Sequence, residues 1–321
     1  MKALQGVNGQ LEWVQTPSPT LDVGQVRIKV AAAGLNRADL LQIKGHYPPP
    51  PGASEFLGLE CSGVIAEVGP GSSWQVGDRV CALLAGGGMA EEVVVDGRHV
   101  LPAPENLSLA EAACLPEVYA TAWLNLFELA AIKPGEKVLL HAGASGVGSA
   151  AIQLCKAFGN PVWVSVGSAE RLAYCVELGA QGGVVRGDNL AGLEAFAPFD
   201  AVLDPVGGNE YAALNLKLLG QDSRWVLIGV MAGRKAEIDL AQVLGKRIHL
   251  LGSTLRSRDE QFKATLISDL AQQVWPLFVE GRLSPQLSRT FPAEQASEAY
   301  ATLESNQVSG KVVLVIDPQL Q

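Results

Sequence analysis

The pattern of apolar and polar positions divides the chain into two kinds of stretch. Up to about residue 100, apolar positions alternate over short runs, at 26–33, 63–68 and 79–84, each bounded by glycine or proline; the residues after Met1-Lys2 alternate likewise. Period-two runs separated by turns such as Val76-Gly77-Asp78-Arg79-Val80 predict strands. Many short strands of this kind predict a barrel-like all-β domain. One segment among them differs. Gly34-Leu35-Asn36-Arg37-Ala38-Asp39-Leu40-Leu41 predicts a polar helical turn, and it runs into Gly45-His46-Tyr47 and four prolines, Pro48 to Pro51. A proline-stiffened loop carrying Tyr47 is a candidate pocket wall; the alternative is a surface connection whose tyrosine only packs.

From residue 108 the period becomes helical, with one helix ending at Leu115-Pro116 and the next covering about 118–129. Short apolar strands at 138–140, 162–166, 183–185, 201–204, 225–230 and 249–253 then alternate with helices, two of them starting at Ala169 and Asn209. Such alternation predicts a parallel sheet with helices on both faces. A long helix over 259–280, another near 293–305 and a closing strand at 312–316 follow. This tail is expected to fold back and complete the β-rich domain. The expected division is 1–117 with 259–321 in one domain and 118–258 in the other, with ligands in the cleft between them, outside the carboxyl ends of the strands.

The chemistry centres on Gly143-Ala144-Ser145-Gly146-Val147-Gly148, where a strand enters a glycine turn and leaves as an amphipathic helix. Val147, Ala150, Ala151, Leu154 and Phe158 recur at helical spacing as one stripe, and Gly159 ends the helix. In the dinucleotide fingerprint G-x-G-x-x-G, backbone approaches a pyrophosphate at a helix N-terminus that offers unpaired N–H groups and partial positive charge. Here serine replaces the second glycine. Adjacent Gly146 supplies backbone freedom and the Ser145 hydroxyl is a candidate phosphate contact. An ordinary strand–turn–helix is the alternative, and the strand–helix alternation downstream favours the nucleotide reading.

Composition narrows the classes. With 321 residues the chain is long enough for two cores. A net charge of −9 and 6% aromatic residues argue against a nucleic-acid partner or an anionic membrane surface. No apolar run approaches the roughly 18 residues of a membrane span, and no apolar leader block follows Met1-Lys2, so a cytoplasmic location is expected. Cys61, Cys81, Cys114, Cys155 and Cys175 show no C-x-x-C pairing, which predicts reduced, buried thiols. The four histidines, His46, His99, His141 and His249, are scattered, and His141 lies in an apolar strand. No metal site is expected.

Read in order, Asn36-x-x-Asp39, Gly45-His46-Tyr47-Pro48, Gly58-Leu59-Glu60 with Ser62-Gly63, the Val76 to Val80 turn, Leu115-Pro116 with Thr121-Ala122, the glycine turn with Gln153-x-x-Lys156, Leu178-Gly179-Ala180 and Gly310-Lys311-Val312-Val313 form a set. Over nearly its whole length the chain resembles the zinc-free, zeta-crystallin-like quinone oxidoreductases of the medium-chain dehydrogenase/reductase superfamily. The resemblance implies an α/β protein, a GroES-like β-barrel catalytic domain plus a doubly wound Rossmann domain. Zinc-dependent alcohol dehydrogenases of the superfamily have Gly-His-Glu where this chain has Gly58-Leu59-Glu60, and their cysteine-rich lobe is missing between Cys81 and Cys114. Without a Lewis acid, alcohol oxidation loses the device that stabilises an alkoxide, whereas a quinone needs mainly alignment with the nicotinamide and exclusion of water.

The resemblance implies NADPH-dependent reduction of a small-molecule quinone, with reduction of activated C=C bonds in enones or enals as the alternative. A non-enzymatic NADPH-binding or nucleic-acid-binding protein is the remaining reading. Asn36 and Tyr47 are the catalytic candidates; relatives often have a second tyrosine at Leu41, absent here. Resemblance also places Thr121, Ile228, Gly229 and Val230 along the cofactor, puts Ser253, Thr254 and Leu255 near the nicotinamide, and implies a homodimer through the edge strand 249–253. Cofactor choice is read from the residues themselves. NAD enzymes carry a carboxylate about 20 residues beyond the glycine turn; here that count reaches Ser168, with Arg171 and Arg186 nearby. Guanidinium groups suit the oxygens of a 2′-phosphate. Glu170 as the ribose-binding acid is the competing reading.

Overall fold

The computed structural model describes residues 1–7, 9–187 and 190–320. The chain forms two compact units, residues 1–120 with 255–321, and residues 121–254. No helix among the described residues is long and apolar enough to cross a membrane.

The first unit is built on a mostly antiparallel sheet. Its path runs Leu287–Pro292, Lys311–Val315, Gln25–Gly34, Glu60–Val68, Arg79–Leu83 and Val100–Pro102, and Glu92–Asp96 pairs with Gln25–Gly34 as well. The strands Lys2–Val7 and Gln10–Gln15 form a separate antiparallel hairpin. The tail is part of this unit because Lys311–Val315 pairs antiparallel with the end of Gln25–Gly34. Alternate residues of the central strand, Val26, Ile28 and Val30, point into a core with Leu4, Ile65, Leu57 and Leu314, all buried. The helix Arg37–Ile43 leaves this strand with Asn36 at its N-cap.

The second unit is a six-stranded parallel sheet in the order Gly182–Val185, Val162–Val166, Val138–His141, Phe199–Asp204, Leu219–Leu227, His249–Gly252. In sequence rank this is 3-2-1-4-5-6, the doubly wound order, with the strand order reversing beside Val138–His141. Leu139, Val202, Phe199 and Trp225 fill its core with Leu216 and Leu218 from the helix Gly208–Leu218.

Three elements differ from the sequence expectation. The strand expected at 225–230 is Leu219–Leu227: Leu219 pairs with Phe199, the polar run Gly220-Gln221-Asp222-Ser223 bulges out of register with Asp222 at φ 55°, and pairing resumes at Arg224. The helix expected over 259–280 breaks into Glu260–Gln273 and Trp275–Val279 at Pro276, which has no N–H to donate. The helix Gly146–Phe158 buries every residue from Gly148 to Cys155, not a single stripe, while Val147 and Phe158 stay partly exposed. A helix closed in on all sides shows no clean amphipathic period.

Candidate functional site

In the second unit, the residues proposed for a nucleotide cluster at the carboxyl ends of the parallel strands. The glycine turn follows Val138–His141; Ser168, Arg186, Ile228 and Ser253 follow the ends of four other strands. The turn needs its glycines for close approach: a Cβ on Gly148 would lie 2.4 Å from the Gly143 carbonyl oxygen, and one on Gly143 would lie 2.6 Å from Val164. Ser145 caps the helix, its Oγ accepting from Gly148 N at 3.1 Å. Its hydroxyl hydrogen remains a donor, so capping and phosphate contact are compatible. Ser168 has the same place on the next helix, Ala169–Leu178, accepting from Arg171 N at 3.4 Å. Thr121 uses its carbonyl to accept from Asn125 Nδ2 at 2.7 Å. Gly229 lies against the Pro205 carbonyl, Ile228 is partly buried and Val230 is exposed. Ser253 is partly buried and directly follows the second unit's last strand, whereas Leu255 is buried in the first unit.

Two guanidinium groups converge at the end of Val162–Val166. A Cβ built on Gly167 would lie 3.2 Å from Arg186 Nη2 and 3.3 Å from Arg171 Nη1. Burial, and then the charge of Arg186, lower the Arg171 pKa. Arg186 hydrogen-bonds the Tyr211 hydroxyl, yet its buried Nε has no partner among the described residues. Glu170 is exposed and engages Ser168, which with its own backbone N–H holds its carboxyl below the usual range. Two like charges side by side with an orphaned buried donor fit an anion at this point.

The sheet beneath is held by a closed polar network. Asp204, fully buried, accepts from Val206 N at 2.7 Å, Gly207 N at 3.0 Å, Asn215 Nδ2 at 3.0 Å and Trp225 Nε1 at 3.1 Å. Since the Asn215 amide nitrogen donates to Asp204, its oxygen accepts from His141 Nε2 at 2.8 Å, which leaves His141 Nδ1 to accept from Ser165 Oγ at 2.8 Å. Burial lowers the His141 pKa. His141 is a neutral core residue that ties neighbouring strands together.

The first unit holds charge of a different kind. Glu60, fully buried on its strand, pairs with Lys311 Nζ at 2.6 Å, accepts from Asn36 Nδ2 at 3.0 Å, and accepts from the Glu117 main-chain N–H at 2.9 Å. Lys311 Nζ also donates to Leu35 O at 2.7 Å and Asn36 Oδ1 at 2.8 Å. Both ends of the Asn36 amide are therefore engaged, and its main-chain N–H donates to Asp39 Oδ2 at 2.8 Å. Only glycine fits at 34, where a Cβ would lie 2.5 Å from Glu60 Oε1. Asp39 is buried outright, which raises its pKa to about 6.

Tyr47 is partly buried and its loop is clamped by Arg256, a residue that sequence reasoning missed. Arg256 is 4% exposed; Nε donates to Ala85 O at 2.7 Å, Nη1 to Tyr47 O at 3.3 Å and Nη2 to Gln42 Oε1 at 2.8 Å. Its guanidinium also lies 5.4 Å from the Tyr47 ring centroid. Lys263 Nζ donates to Arg256 O at 2.9 Å, which fixes the segment that carries the arginine. Burial raises the Tyr47 pKa, with Glu117 adding to the rise. Glu60, Glu117, Lys311 and Arg256 come from distant parts of the chain, so no local spacing marks them; only Glu60 and Lys311 lie in motifs that the resemblance had singled out.

The profile described as zinc-binding dehydrogenase matches residues 146–272, and that of the alcohol dehydrogenase GroES-like domain matches residues 22–105. The chain is 34% identical over 97% of its length to the polyketide synthase GfsB of Streptomyces halstedii, of which it spans only 5%. It is similar to the solved CurK enoyl reductase at 30% identity and a TM-score of 0.85, covering 98% of either chain. It is similar to the quinone oxidoreductase of Thermus thermophilus, solved also with NADPH, at 31% identity and a TM-score of 0.83, covering 98% of this chain and 100% of that one. The zinc in the first profile's description does not fit these residues. Among the described residues no three His, Cys, Asp or Glu side chains are grouped to hold a metal, and the Glu60 carboxylate is already taken by Lys311, Asn36 and the Glu117 N–H. The parallel sheet with its glycine turn, the β unit with its buried ion pair and these similarities lead to one conclusion: the chain belongs to the medium-chain dehydrogenase/reductase superfamily, with a GroES-like and a Rossmann domain, and is an NAD(P)-dependent oxidoreductase.

Proposed function

We propose that this protein reduces quinones with NADPH, without zinc. The observation that carries the cofactor choice is the arginine pair at Gly167, where an NAD enzyme would hold a carboxylate. Arg171 and Arg186 bind the 2′-phosphate, the glycine turn and the N-terminus of Gly146–Phe158 bind the pyrophosphate, and Ser168 lies beside the ribose. When bound, the reduced nicotinamide supplies a hydride. Tyr47 is the side chain proposed to meet the acceptor, held by Arg256 over its ring and at its carbonyl, while Asn36 bonds both partners of the Glu60–Lys311 pair. Exposed Leu41 keeps the surface near this loop apolar, which suits a flat hydrophobic acceptor.

The likeness to an enoyl reductase supports a second reading, reduction of an activated C=C bond with the same cofactor. A steady-state comparison of 1,4-benzoquinone, a naphthoquinone and a 2-alkenal, each with NADPH and NADH, tests both. Quinone turnover preferring NADPH is expected; turnover of the alkenal alone would replace the first reading with the second. We further propose a homodimer in which a second copy covers the edge strand His249–Gly252, where Leu250 is 47% exposed. A monomeric mass by light scattering at micromolar concentration would reject it.

A further inference from the structure

Two like charges do not rest side by side unless something holds them. Arg186 Nη2 and Arg171 Nη1 reach the same point, 3.2 Å and 3.3 Å from a Cβ built on Gly167, and their charges repel. Arg171 stands in the first turn of Ala169–Leu178, which Ser168 caps. Arg186 has no helix to fix it: it directly follows the strand Gly182–Val185 and is partly exposed. Its Nε, though buried, has no hydrogen-bond partner among the described residues, so the guanidinium is not pinned at its base. An arginine free to turn gives up that freedom when a ligand fixes it, whereas one already held gives up less.

Among the described residues one side chain bonds the Arg186 guanidinium, the hydroxyl of Tyr211, whose oxygen accepts from it. Tyr211 belongs to the helix Gly208–Leu218 and is 5% exposed, packed in the core with Leu139 and Val202. Its ring meets His141 edge-on, with centroids 4.8 Å apart and planes at 89°. His141 cannot turn, because Ser165 Oγ lies at its Nδ1 and Asn215 Oδ1 at its Nε2, both at 2.8 Å. Asn215 is bound in turn to Asp204. The closed network beneath the sheet therefore ends in one hydroxyl that points at a cation of the anion site. Packing needs only the ring; the oxygen is there for Arg186.

We propose that Tyr211 is a positioning residue for the 2′-phosphate. Its hydroxyl holds Arg186 where that residue and Arg171 together take the phosphate, and so it sets the preference for NADPH over NADH without touching the cofactor. This rests on the NADPH reading given above.

The test is Tyr211→Phe, which removes one oxygen and keeps the ring against His141. In calorimetric titration the Kd for NADPH is expected to rise about 10-fold, the lower end for one hydrogen bond to a charged group, with NADH unchanged. Adenosine 2′,5′-bisphosphate should weaken by the same factor, and 5′-AMP should not. A role confined to packing would weaken all four ligands alike. In an Arg186→Ala background the added Tyr211→Phe should change NADPH affinity no further, since the tyrosine acts through the arginine. An unchanged Kd for NADPH, equal losses for NADPH and NADH, or a further 10-fold loss in the Arg186→Ala protein would each overturn the proposal. If Tyr211→Phe does not fold, 3-fluorotyrosine incorporated at position 211 alone keeps the hydroxyl in place. Its ¹⁹F signal should then shift with adenosine 2′,5′-bisphosphate and not with 5′-AMP; no difference between the two would overturn the proposal. If Arg171→Ala and Arg186→Ala both leave NADPH and NADH affinities as in the wild type, the cofactor reading itself falls, and the proposal with it.

Discussion

Both units draw arginine side chains out of solvent, Arg256 fully and Arg171 and Arg186 in part, and their surroundings differ. Arg256 of the first unit directs its donors at Ala85 O, Tyr47 O and Gln42 Oε1, and Gln42 in turn donates to Glu55 O at 2.9 Å. Lys311 is satisfied in the same manner by Glu60, Leu35 O and Asn36 Oδ1. Arg171 and Arg186 of the second unit converge beside Gly167, and the buried Nε of Arg186 has no hydrogen-bond partner among the described residues. A buried cation whose every nitrogen is hydrogen-bonded holds chain segments together, whereas two converging cations, one with a buried donor unused among the described residues, are what the proposed 2′-phosphate site calls for. The same side chain thus holds segments together in one unit and, in the proposed reading, meets a ligand's phosphate in the other.

The sharpest way to break this contrast is Lys311→Met. It leaves the Glu60 carboxylate buried without its cation, a change that costs about 3–5 kcal/mol in comparable cases. A large drop in the denaturation midpoint is expected, and a change under 1 kcal/mol would mean that the pair is not structural. Arg256→Ala should follow at about 3 kcal/mol, from charge-assisted hydrogen bonds lost to buried acceptors. In the protein that still folds, KM for quinone should rise through the loosened Tyr47 loop while NADPH affinity is kept. Equal losses in both would show that the clamp is not local to that loop.

Arg171→Ala should behave in the reverse way. NADPH binding is expected to weaken by about 1.5–3 kcal/mol, the range for hydrogen bonds to charged groups, with NADH nearly unaffected. Stability should stay the same or rise slightly, since the like-charge contact with Arg186 is removed. Calorimetric titration of both cofactors decides this, and equal losses would show that the arginine does not read the 2′-phosphate.

A smaller effect concerns pH. The Glu117 pKa is raised from 4.5 to about 8, so the folded chain keeps a proton that the unfolded chain has already released in that interval. Stability from this group is therefore complete below pH 4.5 and declines as pH rises toward 8. Glu117→Gln should flatten that slope in urea denaturation measured from pH 5 to 8. The smallest expected effect is ionic: added salt should weaken NADPH binding more than NADH binding, because charges at an accessible site are screened.

Much of the molecule is legible in the sequence. Five of the six parallel strands lie within two residues of the apolar runs that predict them, because short apolar runs between helices are a local signal, and the sixth, Leu219–Leu227, only overlaps the run at 225–230. The cofactor candidates were readable for the same reason. A parallel sheet puts every strand's carboxyl end on one edge, so Ser168, Arg186 and Ile228 come together once the strands are known. Ser145 and Ser168 even announce the helices they cap. Failures at this level came where local pattern and backbone pairing disagree, as in the polar opening of Leu219–Leu227 and at Pro276.

The first unit's buried charge cluster was hardly legible at all. Tyr47 could be named from its stiff loop, but Glu60 and Lys311 are about 250 residues apart in sequence and Arg256 is 209 residues from Tyr47, whose loop it clamps. Nothing in the spacing of Glu117 distinguishes it from any acid in a helix's first turn, where a carboxylate is ordinary. What makes it unusual is the neighbouring Glu60 with its complete set of partners, and that neighbour is delivered by a sheet. Sequence alone determined the strands, helices and caps, since propensity, period and capping act over a few residues. Only tertiary structure decided which charges meet, because burial and Coulomb interaction depend on distance in space, and it is those two that settle which carboxyl keeps its proton.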